Sequence, residues 1–183
     1  VIGVPSGIVC AVGRGRIWDT LANAFALWGL STPNFWLGIL LILLFSVHLG
    51  WLPASGYVSP WEDLRANLTA MIMPAFVLGN ALAAVLMRHT RSAMLQAMSA
   101  DYVRTARAKG LSEKRTILKY PVRAALNPFA SNIAYLFPYL VSGSIIVSIV
   151  LGLPTVGPLL VKALIAQDMF LAGTIVLLLG VMT

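Results

Sequence analysis

The chain has 183 residues, of which 59% are hydrophobic and 10% are charged, and its mean hydropathy is +0.88. Soluble domains carry about 25% charged residues, so a water-soluble globular domain is excluded and an integral membrane protein is expected. The net charge of +7 does not point to nucleic acid, because the cations cluster between apolar runs, as in cytoplasmic loops, and not on one face of a soluble core.

Taken in chain order, residues 1–12 are apolar but too few to cross the hydrocarbon core, which takes about 20. They are expected to be a partial span, and they lack the charged start of a signal peptide. Cys10 is the one cysteine, so no internal disulfide can form, and a small buried residue is its expected role. Arg14 and Arg16 mark the turn that follows as cytoplasmic. A complete span is expected over about residues 21–47, with Pro33 inside it. The loop over about residues 48–68 holds Glu62, Asp63 and Arg65 and so has no positive bias. Its Trp51, Tyr57 and Trp61 resemble an interfacial aromatic belt, which places it outside.

A second complete span is expected at about residues 69–87, with Pro74, and a third at about 124–150, with Pro128 and Pro138. Proline removes a backbone hydrogen bond and kinks a helix, which membrane helices tolerate when neighbours re-satisfy the backbone. Residues 151–169 then lie outside, and residues 170–183 form a second partial span. Both ends are expected to be cut spans of a longer chain. The expected fold class is all-α: one polytopic transmembrane helical bundle over residues 1–183, without a repeat of fixed period.

The three complete spans contain no Asp, Glu, Lys or Arg, the residue types that mark ion and proton pathways. Their uncharged polar residues are Thr32, Asn34, Asn80, Asn127, Ser131, Asn132, Ser142, Ser144 and Ser148. Two readings stay open. They hydrogen-bond between helices, or some of them, with Asn34, Asn80, Ser131, Asn132, Ser144 and Ser148 as candidates, line a path for a polar solute. His48 and His89 stand alone on opposite sides, so neither a metal site nor a catalytic group is expected.

Residues 88–123 form the cytoplasmic loop. They hold Arg88, Arg91, Arg104, Arg107, Lys109, Lys114, Arg115, Lys119 and Arg123 against Asp101 and Glu113. Ser99 or Asp101 is expected to cap a helix over residues 102–109. Gly110 suits a left-handed C-terminal cap, and Ser112 starts a second helix with Glu113 in its first turn. Pro121 stops that helix or begins the next bend. Ala100, Val103 and Ala106 give a small-residue face that could sit low in a groove. The basic helix–Gly–helix unit either docks on a partner or lies on anionic lipid headgroups.

Residues 102–111 read Tyr-Val-Arg-Thr-Ala-Arg-Ala-Lys-Gly-Leu. This resembles the cytoplasmic motif of membrane permeases of binding-protein-dependent ABC importers, in the dipeptide, oligopeptide and nickel branch, although the Glu of the broader family's Glu-Ala-Ala motif is replaced by Arg104. The resemblance continues at Ser31-Thr32-Pro33-Asn34-Phe35, at Gly50-Trp51-Leu52-Pro53-Ala54-Ser55-Gly56-Tyr57, at Pro74, Arg88, Arg91 and Met94-Leu95, and at Leu153-Pro154-Thr155-Val156-Gly157. Two positions depart from the branch: Ser148 stands where a Glu is usual, and Thr155 replaces the first Gly of a Pro-Gly-x-Gly segment.

The resemblance implies the type I ABC importer permease fold in a bacterial or archaeal inner membrane. The chain would form the translocation pathway for peptides, nickel chelates or similar small polar solutes. Its partners would be ABC ATPase subunits, a second permease subunit, an extracytoplasmic solute-binding protein and the lipid bilayer, with no nucleic acid. The chain has no phosphate-binding Gly-x-x-x-x-Gly-Lys-[Ser/Thr] loop. It is therefore not expected to be an enzyme or to carry a cofactor, and ATP and Mg belong to the partner ATPase. Tyr102, Arg104, Thr105, Ala106, Ala108, Lys109 and Gly110 are the residues implied to couple to that ATPase. The alternatives are an ion-coupled secondary transporter, disfavoured by the lack of charge in the spans, and a membrane enzyme, which would need a charged cluster.

Overall fold

The computed structural model describes residues 2–127, 136, 140 and 143–182. Pro128, Ser131, Asn132, Pro138 and Ser142 lie outside the described residues, as does much of the third expected span. Every regular element among the described residues is helical. In chain order they are α1 (Gly3–Val12), α2 (Ile17–Ser31), α3 (Asn34–Leu41), a wider π-helical stretch (Ile42–His48), α4 (Leu64–Met98), α5 (Asp101–Ala108), α6 (Glu113–Lys119), α7 (Pro121–Leu126), α8 (Val156–Ile165) and α9 (Met169–Met182). Residues 143–150 are helical too. Helix α4 is long and apolar enough to cross a membrane, and α2 with α3 and the π-helical stretch qualifies if the two are one broken span.

The two prolines expected to act alike behave differently. Helix α4 runs through Pro74 without a break. At Pro33 the chain leaves the helix: α2 ends at Ser31, Pro33 takes an extended ψ of 133°, and α3 restarts at Asn34. Proline disfavours the helical region for the residue before it, here Thr32. The stretch expected as one span over 21–47 is thus two helices. The second of them loosens into π-helical turns, with Leu49 N–H donating to Leu44 O at 3.0 Å.

The other boundary that differs is the end of the second span. Helix α4 is 35 residues long, about 52 Å at 1.5 Å per residue, against a hydrocarbon core of about 30 Å. Residues 88–98, expected as the start of the loop, continue the helix. Its buried stripe Ala70, Met73, Val77, Ala81, Ala84, Met87, Thr90, Met94 and Ala97 keeps helical spacing throughout.

The chain divides into two units: Val1–Ser31 with Asn80–Ala134, and Thr32–Gly79 with Tyr135–Thr183. The second has a core of Leu37, Met73, Val77, Val147 and Leu151. In it Gly56 N–H donates to Leu151 O at 3.2 Å, tying the loop after α3 to the turn before α8. The first has two small cores, Cys10, Ala26, Ala84 and Met87, then Ala11, Met94 and Ala125.

In the first unit α1 meets α4 backbone to backbone. A Cβ on Gly7 would lie 2.6 Å from Met87 O and 2.8 Å from Thr90 Cβ, and one on Gly3 would lie 2.6 Å from Ala83 O. Small residues at such contacts are how helices associate in lipid, where no hydrophobic force separates them from the solvent. Gly7→Val should therefore destabilise the protein by about 1–3 kcal/mol through overpacking. Gly79→Ala, whose Cβ meets nothing within 4 Å, should be neutral or slightly stabilising. Thermal unfolding of both variants in detergent checks this, and equal melting temperatures would remove the close α1–α4 contact.

Candidate functional site: the basic hairpin

Helices α5 and α6 form the helix–Gly–helix unit, and their turn is closed by the backbone. Gly110 takes φ +78°, its N–H donates to Arg107 O at 2.9 Å, and Leu111 N–H donates to Ala106 O at 3.4 Å. This pair of bonds is a Schellman cap, which needs a left-handed residue in the glycine's place. A Cβ on Gly110 would meet nothing within 4 Å, so the demand on this position is conformational and not steric.

The caps differ from those expected. Ala100 holds the N-cap position of α5 with no side-chain cap bond. Ser99 Oγ donates back to Gln96 O at 2.8 Å, and Asp101 is the first helical residue, 3.6 Å from Arg104. Ser112 does stand at the N-cap of α6, but its hydroxyl makes no cap bond; its carbonyl accepts from Thr116 N–H at 2.9 Å. The strongest polar link in the hairpin joins the two helices. Arg107 donates from Nε (3.0 Å) and Nη2 (2.6 Å) to the two oxygens of Glu113, and this pairing holds the Glu113 carboxyl below its ordinary range. Pro121 opens α7 as its first residue.

The faces of α5 are settled by burial. Val103 and Ala106 are 0% and 4% exposed, so the small-residue face is closed against the chain's own body and is not a groove-seeking surface. Ala106 therefore anchors the helix from within, contrary to the expectation that it permits close docking. Tyr102, Arg104, Thr105, Ala108, Lys109 and Gly110 are exposed together on the outer side. The Thr105 hydroxyl turns back to donate to Asp101 O at 3.0 Å and the Tyr102 ring lies 6.3 Å from that of Tyr120, which leaves Arg104 and Lys109 as the polar groups presented outward.

A second feature, which sequence reasoning missed, fixes the base of α4. Asp19, 5% exposed, accepts two bonds of 2.8 Å from Arg91 Nε and Nη2. It also accepts from Asn23 Nδ2 at 2.8 Å and from Gly15 N–H at 3.1 Å. The Arg91 bonds lead in depressing its carboxyl from 3.8 to about 2. The pair clamps the start of α2 to the extended end of α4.

The polar residues considered as path lining are not gathered into one described site. Asn34, Ser144 and Ser148 belong to one unit and Asn80 to the other. Asn34 Nδ2 lies 3.8 Å from where a Cβ on Gly143 would stand. Ser144 is half-buried, and Ser148 is 1% exposed, enclosed beside core residue Val147. Asn80 sits over Gly29 at the edge of an apolar cavity of about 430 Å³ that also takes Leu21, Phe25 and Met87. Its Nδ2 is buried with no hydrogen-bond partner among the described residues. Among the described residues no three His, Cys, Asp or Glu side chains gather as a metal site.

A helical membrane protein with a closed basic hairpin on α4's extension is the class these features define. The chain matches the family described as binding-protein-dependent transport system inner membrane component over residues 3–183, and it belongs to that family of ABC importer permeases. It is 40% identical over 179 residues to a protein of Brucella abortus (strain 2308) named provisionally as a peptide transport system permease, covering 98% of this chain and 57% of that one. It is 42% identical over 168 residues to the glutathione transport system permease protein GsiC of Escherichia coli (strain K12), covering 92% of this chain and 52% of that one. The chain thus spans about half the length of these relatives.

Proposed function

We propose that this chain is part of the membrane-spanning permease of an ATP-driven importer for peptides or similar small polar solutes, in the inner membrane of a bacterium or archaeon. A separate ATPase holding ATP and Mg, a second permease subunit and an extracytoplasmic solute-binding protein complete the machine. The observation that carries this reading is the outer face of α5, where Arg104 and Lys109 project from a helix whose Val103 and Ala106 are buried on the other side. Such a helix transmits a push or pull from a docked partner as a rigid lever, because its own attachment is buried. Family membership and relatives whose names refer to peptide and glutathione transport support the same reading.

Orientation follows from the charge count. With the hairpin inside, the Asp19–Arg91 pair keeps the Arg14 turn on the same side, and the Gly56–Leu151 bond keeps the two outer loops together. Cysteines at Lys109 and Lys114 should be labelled by impermeant thiol reagents from the cytoplasmic side alone, and a cysteine at Ser55 from outside. Labelling of both regions from one face would reject the orientation and the coupling reading with it. The function itself is tested by co-purification in mild detergent: an ATPase should accompany the full-length permease, and Arg104→Glu should weaken its retention in a salt-dependent way, since the contact is exposed and screened.

A further inference from the structure

The hairpin carries more positive charge than its acids can answer. All three acids on this side of the chain are taken: Asp19 by Arg91 at 2.8 Å, Asp101 by Arg104 at 3.6 Å and Glu113 by Arg107 at 2.6 Å. Lys119 and Arg123, four residues apart across the α6–α7 junction, have no acidic partner among the described residues. Like charges at this spacing repel, and both border one cleft of about 340 Å³ lined by Tyr102, Lys119, Tyr120, Arg123, Ala124 and Asn127. Two tyrosines form one wall, their ring centroids 6.3 Å apart, and Lys119 Nζ lies 5.7 Å from the centre of the Tyr120 ring.

From this geometry we infer that the cleft is a binding site for the phosphate headgroup of an anionic phospholipid of the inner leaflet. Two unanswered cations supply the charge, the Asn127 amide supplies a neutral donor, and the tyrosines supply the amphipathic rings that favour the headgroup level. The choice of lipid over a free anion rests on place. In the sequence α7 (Pro121–Leu126) overlaps the start of the apolar run of residues 124–150, which sets the cleft where a cytoplasmic loop meets the bilayer. Basic pockets at that level take anionic headgroups. The hairpin is then divided by function: Arg104 and Lys109 of α5 are left to a protein partner, while Tyr102 and the α6–α7 junction face the lipid cleft. The inference uses the cytoplasmic placement of the loop but not the transport reaction, so it stands or falls apart from the importer reading.

Native mass spectrometry of the full-length permease complex, with phosphatidylglycerol or phosphatidylcholine added to the detergent, tests it. Phosphatidylglycerol adducts should be retained and phosphatidylcholine adducts should not. Lys119→Gln with Arg123→Gln should weaken phosphatidylglycerol retention roughly 25-fold, at about fivefold per cation. Lys114→Gln with Arg115→Gln, which removes the same charge from exposed positions outside the cleft, should change it little, and Lys119→Arg should preserve it. Equal loss in the two double variants would overturn the site in favour of diffuse attraction. Displacement of the lipid by millimolar inorganic phosphate would overturn the lipid in favour of a free anion. Loss of the co-purified ATPase, without loss of lipid, in the Lys119/Arg123 variant would assign the cleft to the protein interface instead.

Discussion

Arg91→Met should destabilise the protein by about 3–5 kcal/mol, because it leaves the Asp19 carboxylate buried without its main partner. Asn23 and Gly15 still donate to it, but neither carries charge. The double variant Asp19→Leu with Arg91→Met should recover most of that loss, since apolar replacement of a buried pair is often close to neutral. Thermal unfolding in detergent distinguishes the two, and equal stabilities for the single and double variants would show that the pair is not the clamp. The pH dependence has a definite sign. The Asp19 carboxyl is held at about 2 against an ordinary 3.8. The contribution of about 2 kcal/mol is therefore fully present above the ordinary value and is lost as pH falls through about 2. The clamp should be insensitive to pH from mild acid upward, so it holds α2 on α4 without acting as a physiological proton switch.

This clamp could not be read from the sequence, for a physical reason. Asp19 and Arg91 are separated by 72 residues, and each alone looks like an ordinary charge beside a span. Local chemistry was legible where it is short-ranged. The turn at Gly110 follows from the one residue type that takes a left-handed backbone at no cost, and the end of α6 just before Pro121 follows from the missing N–H and fixed φ of proline, although the new helix α7 that Pro121 opens was not expected. What was not legible depends on neighbours. Val103 and Ala106 have the size and spacing of a docking face and also of a buried face, and packing alone decided between them. Pro33 and Pro74 offer the same missing N–H, yet one ends a helix and the other rides within it. Arg88 and Arg91 looked like the start of a loop, but the buried stripe through Thr90, Met94 and Ala97 carries the helix onward.

Gly110→Val should abolish solute-stimulated ATP hydrolysis in the reconstituted importer while leaving the permease folded in the membrane. A Cβ there would meet nothing within 4 Å, so the main cost lies in the backbone. A β-branched residue at φ +78° is strained by about 1–3 kcal/mol. Against a global stability of about 5–15 kcal/mol that is survivable. Against what closes the hairpin it is not small. The exposed Arg107–Glu113 pair is screened by solvent and adds little, and each capping backbone bond contributes about 0.5–1.5 kcal/mol. The variant therefore relieves its strain by opening the α5–α6 turn, and the lever loses its fixed angle. Gly110→Asn is the control, because asparagine visits the left-handed region, and it should retain most of the stimulation. If Gly110→Val stimulates as well as the parent, α5 and its turn are not the coupling element. The basic hairpin would then serve as a lipid-surface anchor, and the chain's place in the permease family would speak for its fold alone.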